Sequence, residues 1–173
     1  MTAAQTHPLR LRVAHLNPRA PTAFALRPDA EARAAIAGEL GLPGLPRLAF
    51  EGRIRAGAGD GWELEGRLTA RVTQACVVTL KPVKTTIDEQ VRRLYSPHLA
   101  TPEADEAEMP DDALEPLGQF IDVSAVMVEE LALALPEYPR ADGAGLDSPA
   151  GDAPDSDTRK PFAGLDQLLR GKD

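Results

Sequence analysis

The residues of this chain that could do chemistry are the basic side chains of a single stretch. Residues 47–93 hold nine Lys or Arg against six Asp or Glu, whereas the whole chain of 173 residues has a formal net charge of −8. A guanidinium group forks onto pairs of oxygen atoms, so arginines in such a stretch suit contacts with phosphates. The candidate phosphate-binding residues are Arg53, Arg55, Arg67, Arg71, Lys81, Lys84, Arg92 and Arg93.

The acidic balance of the whole chain limits what these residues can do. A net charge of −8 argues against a protein whose entire surface grips nucleic acid. Because salt screens exposed charges over about 10 Å, a local basic face is compatible with distant acidic segments. The alternative is that Glu51, Glu63 and Glu65 pair with the arginines across neighbouring strands. Aromatic residues are scarce, so the sequence does not predict base-specific readout of single strands.

The other reactive side chains do not combine into a catalytic or metal-binding pattern. Cys76 is the only cysteine and is flanked by Ala75 and Val77, so it lacks the cationic setting of a nucleophilic thiol. We interpret it as a packed structural thiol. Glu129 and Glu130 do not face one another on a helix, which indicates solvated residues rather than a catalytic pair. The three histidines show no metal-ligand spacing, and we expect no enzymatic activity, no metal and no cofactor.

Alternating patterns predict the strands that carry the basic residues. Residues 62–72 place apolar side chains on one side and charged or Thr side chains on the other, which is typical of a half-buried strand. Residues 48–56 alternate in the same way, and the glycine-rich residues 57–61 predict a hairpin loop between the two. A weaker alternation through 83–91 predicts a third strand. Residues 48–95 therefore predict a three-stranded antiparallel meander.

Two helices and two short strands complete the predicted α+β fold. Strands at 9–13 and 22–26 are expected to extend the meander. Asp29 is placed to cap a helix that runs to about Leu40, and Asp122 to cap the main helix, which runs to Leu135 and covers the sheet. Residues 100–117 predict an acidic, solvated loop. The apolar stripe of the main helix is widened by Val128, Leu133 and Leu135.

The domain organisation follows from composition. Residues 1–140 predict a single α+β domain, and residues 141–160 a disordered linker with few large apolar groups. Residues 161–170 predict a short amphipathic helix at the end of this flexible tail, which either docks as a lid or binds a partner. Because no apolar run approaches a membrane span and the lone thiol fits a reducing compartment, we expect a soluble cytoplasmic protein.

Three stretches, at 75–83, 121–139 and 161–168, carry motifs in a shared order and spacing. Together they resemble the signatures of the YceD family, the large ribosomal RNA subunit accumulation proteins. The resemblance extends over roughly residues 45–170. The motif residues that carry it are Cys76, Thr79, Leu80, Pro82, Asp122, Glu129, Glu130, Leu135, Pro136, Pro161 and Phe162.

The resemblance implies a bacterial or organellar protein needed for normal accumulation of large-subunit (23S) ribosomal RNA, with no catalytic residues to carry over. Some members have further Cys or His at positions that look like Thr79, Ala141 and Leu146 here, so a zinc-like role cannot hold in this chain. With the basic stretch, this predicts a non-enzymatic ribosome-biogenesis factor that contacts large-subunit RNA or its precursor. The alternative is an interaction module that binds a basic ribosomal protein or assembly factor through the acidic loop and terminal helix.

Overall fold

The computed structural model describes residues 9–98 and 114–144. Within these ranges the fold is α+β, as the sequence predicts. In chain order the strands and α-helices are β1 (Arg10–Arg12), β2 (Thr22–Leu26), α1 (Ala30–Glu39), β3 (Gly44–Ala56), β4 (Trp62–Ala75), β5 (Pro82–Ser96), β6 (Leu114–Pro116), β7 (Phe120–Asp122) and α2 (Val123–Ala134), and a 3-10 turn at Val13–His15 follows β1. Most of the predicted acidic loop, the linker from residue 145 onward and the helix predicted at 161–170 lie outside the described residues.

Within the described residues the main sheet has five strands in the order β2-β3-β4-β5-β6. Strands β2 to β5 pair antiparallel with their neighbours, which confirms the predicted meander and its extension by β2. Strand β6 pairs parallel with the end of β5, where Leu94 lies opposite Leu114. The three residues of β6 fall inside the segment predicted as an acidic loop, so that prediction is wrong for residues 114–116.

Strand β1 does not extend the meander, contrary to the prediction. It pairs with β7 in a separate two-stranded sheet, where Arg10 lies opposite Asp122. The Arg10 guanidinium forms an ion pair with the Asp122 carboxylate at 3.0 Å and lies 5.2 Å from the centre of the Phe120 ring. These contacts attach the start of the chain to the segment that leads into α2.

The core lies between the inner face of the main sheet and α2. Phe50, Leu64 and Leu68 are fully buried on that face, and each alternates with an outward neighbour as expected. Helix α2 contributes Val126, Met127 and Leu131 to the same core and packs against β4 and β5.

A close approach of backbones fixes how β3 and β4 meet. Gly52 lies directly opposite Gly66, and the Phe50 ring fills the space beside them, 5.1 Å from the ring of Phe24. A Cβ at position 52 would lie 2.1 Å from the Glu65 carbonyl oxygen, and one at position 66 would lie 2.6 Å from the Phe50 ring. Only glycine fits these two positions without moving the backbone or the ring.

Both helices begin at the predicted caps. The Asp29 carboxylate accepts the Ala32 N–H at 2.9 Å, and the Asp122 carboxylate accepts the Ala125 N–H at 3.0 Å. Helix α1 ends before Gly41, whose φ of +62° lies in the left-handed region that favours glycine. No helix of the described ranges is long and apolar enough to cross a membrane.

Two boundary and face predictions need correction. Strand β3 begins at Gly44 rather than at residue 48, because a register shift between Gly44 and Arg47 lets the strand continue across Pro46. Leu133 is 76% exposed, so it does not widen the buried stripe of α2. The helix faces the sheet with a narrower stripe than its composition predicts.

The leucines at 68 and 133 provide a matched test of the core. Leu68→Ala should lower the free energy of unfolding by about 2–5 kcal/mol, since it leaves a cavity in a fully buried site. The same change at the exposed Leu133 should alter it by less than about 0.5 kcal/mol. Urea unfolding followed by circular dichroism measures both, and equal effects would contradict the assignment of the sheet faces.

Candidate functional site

The outer face of the main sheet brings most of the predicted basic residues together. Alternation along β3 and β4 turns Arg53, Arg55, Arg67 and Arg71 away from the buried face, and all four are exposed. Arg92 and Lys84 reach the same face from β5, where they lie opposite Glu65 and Thr73.

At one end of this face each arginine is held by a carboxylate. Arg53 pairs with Glu65 at 2.8 Å, and Arg67 pairs with Asp88 at 2.5 Å. Arg55 contacts both Glu63, at 2.9 Å, and Glu65, at 3.0 Å. Cross-strand pairing therefore accounts for these arginines, as the alternative interpretation of the sequence proposed.

Glu63 is the centre of this paired end. Its side chain accepts from Arg55 and from Arg92, the latter at 2.6 Å, although the residue is only 7% exposed. The hydrogen bond from Arg92 lowers the pKa of the Glu63 carboxyl, against the opposing effect of burial. A buried carboxylate on the outer face departs from the alternation, and its two arginines explain how it stays ionised.

The other end of the outer face is arranged differently. Arg71 and Lys84 form no ion pair with any described residue, and neither does Arg47, which the sequence analysis did not select. Arg47 lies directly opposite Arg71 in the β3–β4 register. Its position could have been found by extending the predicted strand by one residue before Leu48, because Arg47 continues the outward alternation of Ala49 and Glu51. Lys81 is exposed just before β5 and likewise forms no ion pair in the described part of the chain.

Arg93 belongs to the interior rather than to the basic face. It points to the side of α2, is 14% exposed, and pairs with Glu130 at 2.7 Å and with Glu115 at 2.5 Å. Glu129 lies farther away, at 3.9 Å. Arg93 therefore joins β5, β6 and α2. The prediction that Glu130 is solvated is wrong, because its side chain is only 20% exposed.

Residues of the first family-like motif form a tight turn between β4 and β5. The Cys76 thiol is fully buried, and its Sγ accepts the N–H of Thr79 at 3.4 Å and that of Ala141 at 3.3 Å. The Thr79 side chain, followed by these N–H groups, lowers the pKa of the thiol to about 6. The Val77 N–H also donates to the Pro139 carbonyl at 3.0 Å, so the turn is fastened to the segment after α2.

The remaining motif residues have structural positions. Leu80 is 79% exposed with a φ of +60°, and Pro82 begins β5. Asp122 caps α2, Leu135 ends it, and the Pro136 carbonyl accepts the Gln74 side-chain amide at 3.0 Å. Pro161 and Phe162 lie outside the described residues. In the described part of the chain no group of three or more His, Cys, Asp or Glu side chains is placed to hold a metal ion.

The described residues define a small α+β protein in which helices pack on one side of a mostly antiparallel sheet and the other side is densely charged. The family model described as "Large ribosomal RNA subunit accumulation protein YceD" matches residues 64–169. The chain therefore belongs to the YceD family, and the resemblance found in the sequence is confirmed. The match begins within β4 and takes in all three motifs. No curated protein and no solved structure matches the chain.

Glu63 should give stability a defined pH dependence. Because its folded pKa is lowered, the stabilisation is present above the ordinary pKa of about 4.3 and is lost as pH falls through the folded value. Glu63→Gln should therefore cost about 1–3 kcal/mol at pH 7 and progressively less in acid. Urea unfolding of both proteins from pH 7 to pH 3 measures this, and a constant difference would contradict it.

The pH dependence of stability at Cys76 should be opposite to that of a buried thiol without hydrogen-bond donors, whose pKa burial would raise. Its lowered pKa means that stabilisation by the thiolate is absent below about pH 6 and grows until the ordinary thiol value of about 8.5 is passed. The stability difference between the wild type and Cys76→Ser should therefore increase from pH 6 to pH 8.5. Ribosomal RNA accumulation should be retained in the variant. Loss of accumulation with unchanged stability would contradict a structural role.

Proposed function

We propose that this protein is a non-enzymatic ribosome-biogenesis factor that supports the synthesis, processing or stability of large-subunit (23S) ribosomal RNA. Membership of the YceD family carries the role in large-subunit RNA accumulation. The proposed mode is direct contact with the RNA or its precursor, in the cytoplasm of a bacterial cell.

The observation that favours direct contact is the open outer face of the main sheet. Helix α2 packs on the inner face, whereas the exposed arginines of β3 and β4 lie on the outer one. Such a surface can approach an RNA backbone without any rearrangement of the core. Phosphates recognised in this way position a protein on RNA but carry no base sequence.

A role without catalysis is supported by the state of the reactive side chains. The Cys76 thiol is fully buried, so a substrate cannot reach its sulfur in this conformation. The described carboxylates of the outer face are engaged by arginines, as Glu63, Glu65 and Asp88 illustrate. These groups hold charge in place and are poorly placed to accept or donate a proton in a reaction.

Depletion of the protein in its own host tests the proposal. We expect the ratio of large- to small-subunit ribosomal RNA to fall, and ultraviolet crosslinking of the wild-type protein to recover large-subunit RNA or its precursor. Recovery of a basic ribosomal protein without RNA would instead favour the interaction-module alternative. An unchanged RNA ratio after depletion would overturn the proposed role.

A further inference from the structure

The unpaired end of the outer face contains a like-charged cross-strand pair. Arg47 of β3 and Arg71 of β4 are direct neighbours in the register, and both are exposed. Directly opposed side chains in an antiparallel sheet lie about 5 Å apart at Cβ, where like charges destabilise the pairing. Neither guanidinium has an ion-pair partner among the described residues, so no direct ion pair offsets this repulsion there.

A third cation and several hydroxyl groups border the same pair. Thr86 lies opposite Arg71 on β5, and in the next row Lys84 lies opposite Thr73. Arg71, Thr73, Lys84 and Thr86 line a hollow of about 350 Å³ together with Pro46. Arg47 lines a separate hollow with Arg27, Glu51 and Arg67, where the Glu51 carboxylate is paired with Arg27. The three residues Arg47, Arg71 and Lys84 are called the cation cluster below.

The nearest acidic residue in the register does not neutralise the cluster. Asp88 lies opposite Thr69, one row away from Arg71, but it is bound by Arg67 at 2.5 Å and 2.6 Å. The hydrogen bonds from Arg67 lower the pKa of the Asp88 carboxyl, so it stays ionised and committed to that arginine. The two ends of the outer face therefore differ. At one end carboxylates neutralise the arginines, whereas at the other end the cations form no ion pair with any described residue.

We propose that the cation cluster is the phosphate-binding site of this protein and holds backbone phosphates of RNA. The proposal rests on the proposed function and names the residues through which it acts. A phosphodiester placed between Arg47 and Arg71 supplies the negative charge that the fold omits, and two guanidinium forks match its oxygen atoms. Arg53, Arg55 and Arg67 are weaker candidates, because each would first have to leave a carboxylate.

A pair of triple variants with equal charge change tests the site. Arg47→Gln, Arg71→Gln and Lys84→Gln remove the cluster, whereas Arg27→Gln, Arg53→Gln and Arg67→Gln remove three paired, exposed arginines of the same face. The probes are a transcript of large-subunit RNA and polyuridylate of equal length. We expect the cluster variant to lose roughly tenfold or more in affinity for both, and its slope of log affinity against log salt to flatten by up to about 2.

The control variant and a charge-preserving variant distinguish loss of this site from loss of net charge. The control should keep a slope near the wild-type value despite the same net charge, and Arg47→Lys with Arg71→Lys should retain the slope as well. The cluster variant should unfold at the same or a higher urea concentration than the wild type, because it removes a like-charged pair. Equal flattening in the cluster and control variants would overturn the site.

The outcomes separate this site from the proposed function. If the wild type binds RNA and the folded cluster variant keeps its affinity and slope, the site is wrong while RNA contact stands. If the wild type binds neither RNA but binds polyglutamate, both the site and direct RNA contact are overturned, and an acidic protein partner is indicated. The single variant Arg71→Gln, which should flatten the slope by up to about 0.7, keeps the test decisive if the triple variant fails to fold.

Discussion

The pairing register of β4 with its two neighbouring strands is the constraint on which the other contacts depend. Gly52 opposite Gly66 fixes that register on one side, because no other residue fits between the backbones and the Phe50 ring. A slip of one residue would turn Leu64 and Leu68 toward solvent and force arginines into the core. The ion pairs of Glu63, Glu65 and Asp88 on the outer face, and the facing of Arg47 and Arg71, follow from the same registers.

The outer face uses one residue type for two purposes. Where β4 presents Glu63 and Glu65, arginine side chains of the neighbouring strands form ion pairs with them and join the strands. Farther along β4, Thr69 and Thr73 stand in place of those carboxylates, and Arg47 and Arg71 have no ion-pair partner among the described residues. Net charge over a stretch does not distinguish these situations, because the difference lies in which residues face one another across the strands.

Much of the fold can be predicted from the sequence, because it depends on local signals. The alternation of β4, the glycine-rich hairpin and the caps Asp29 and Asp122 all lie within a few residues of the elements they define. The failures concern residues far apart in the chain. Arg93 alternates in phase with the buried Ile87 and Val91, but its partners Glu115 and Glu130 lie far along the chain. Cys76 receives a hydrogen bond from Ala141, sixty-five positions away. Such pairings cannot be read from spacing.

The parallel pairing of β6 with β5 has a consequence for the acidic segment between them. Parallel neighbours need a crossover connection of about a dozen residues or more, and residues 97–113 supply it. The length of this segment therefore has a floor, whereas each doubling would cost only about 0.6 kcal/mol in closure entropy. Insertions there cost little, but a deletion that left only a tight turn would draw Glu115 away from the largely buried guanidinium of Arg93.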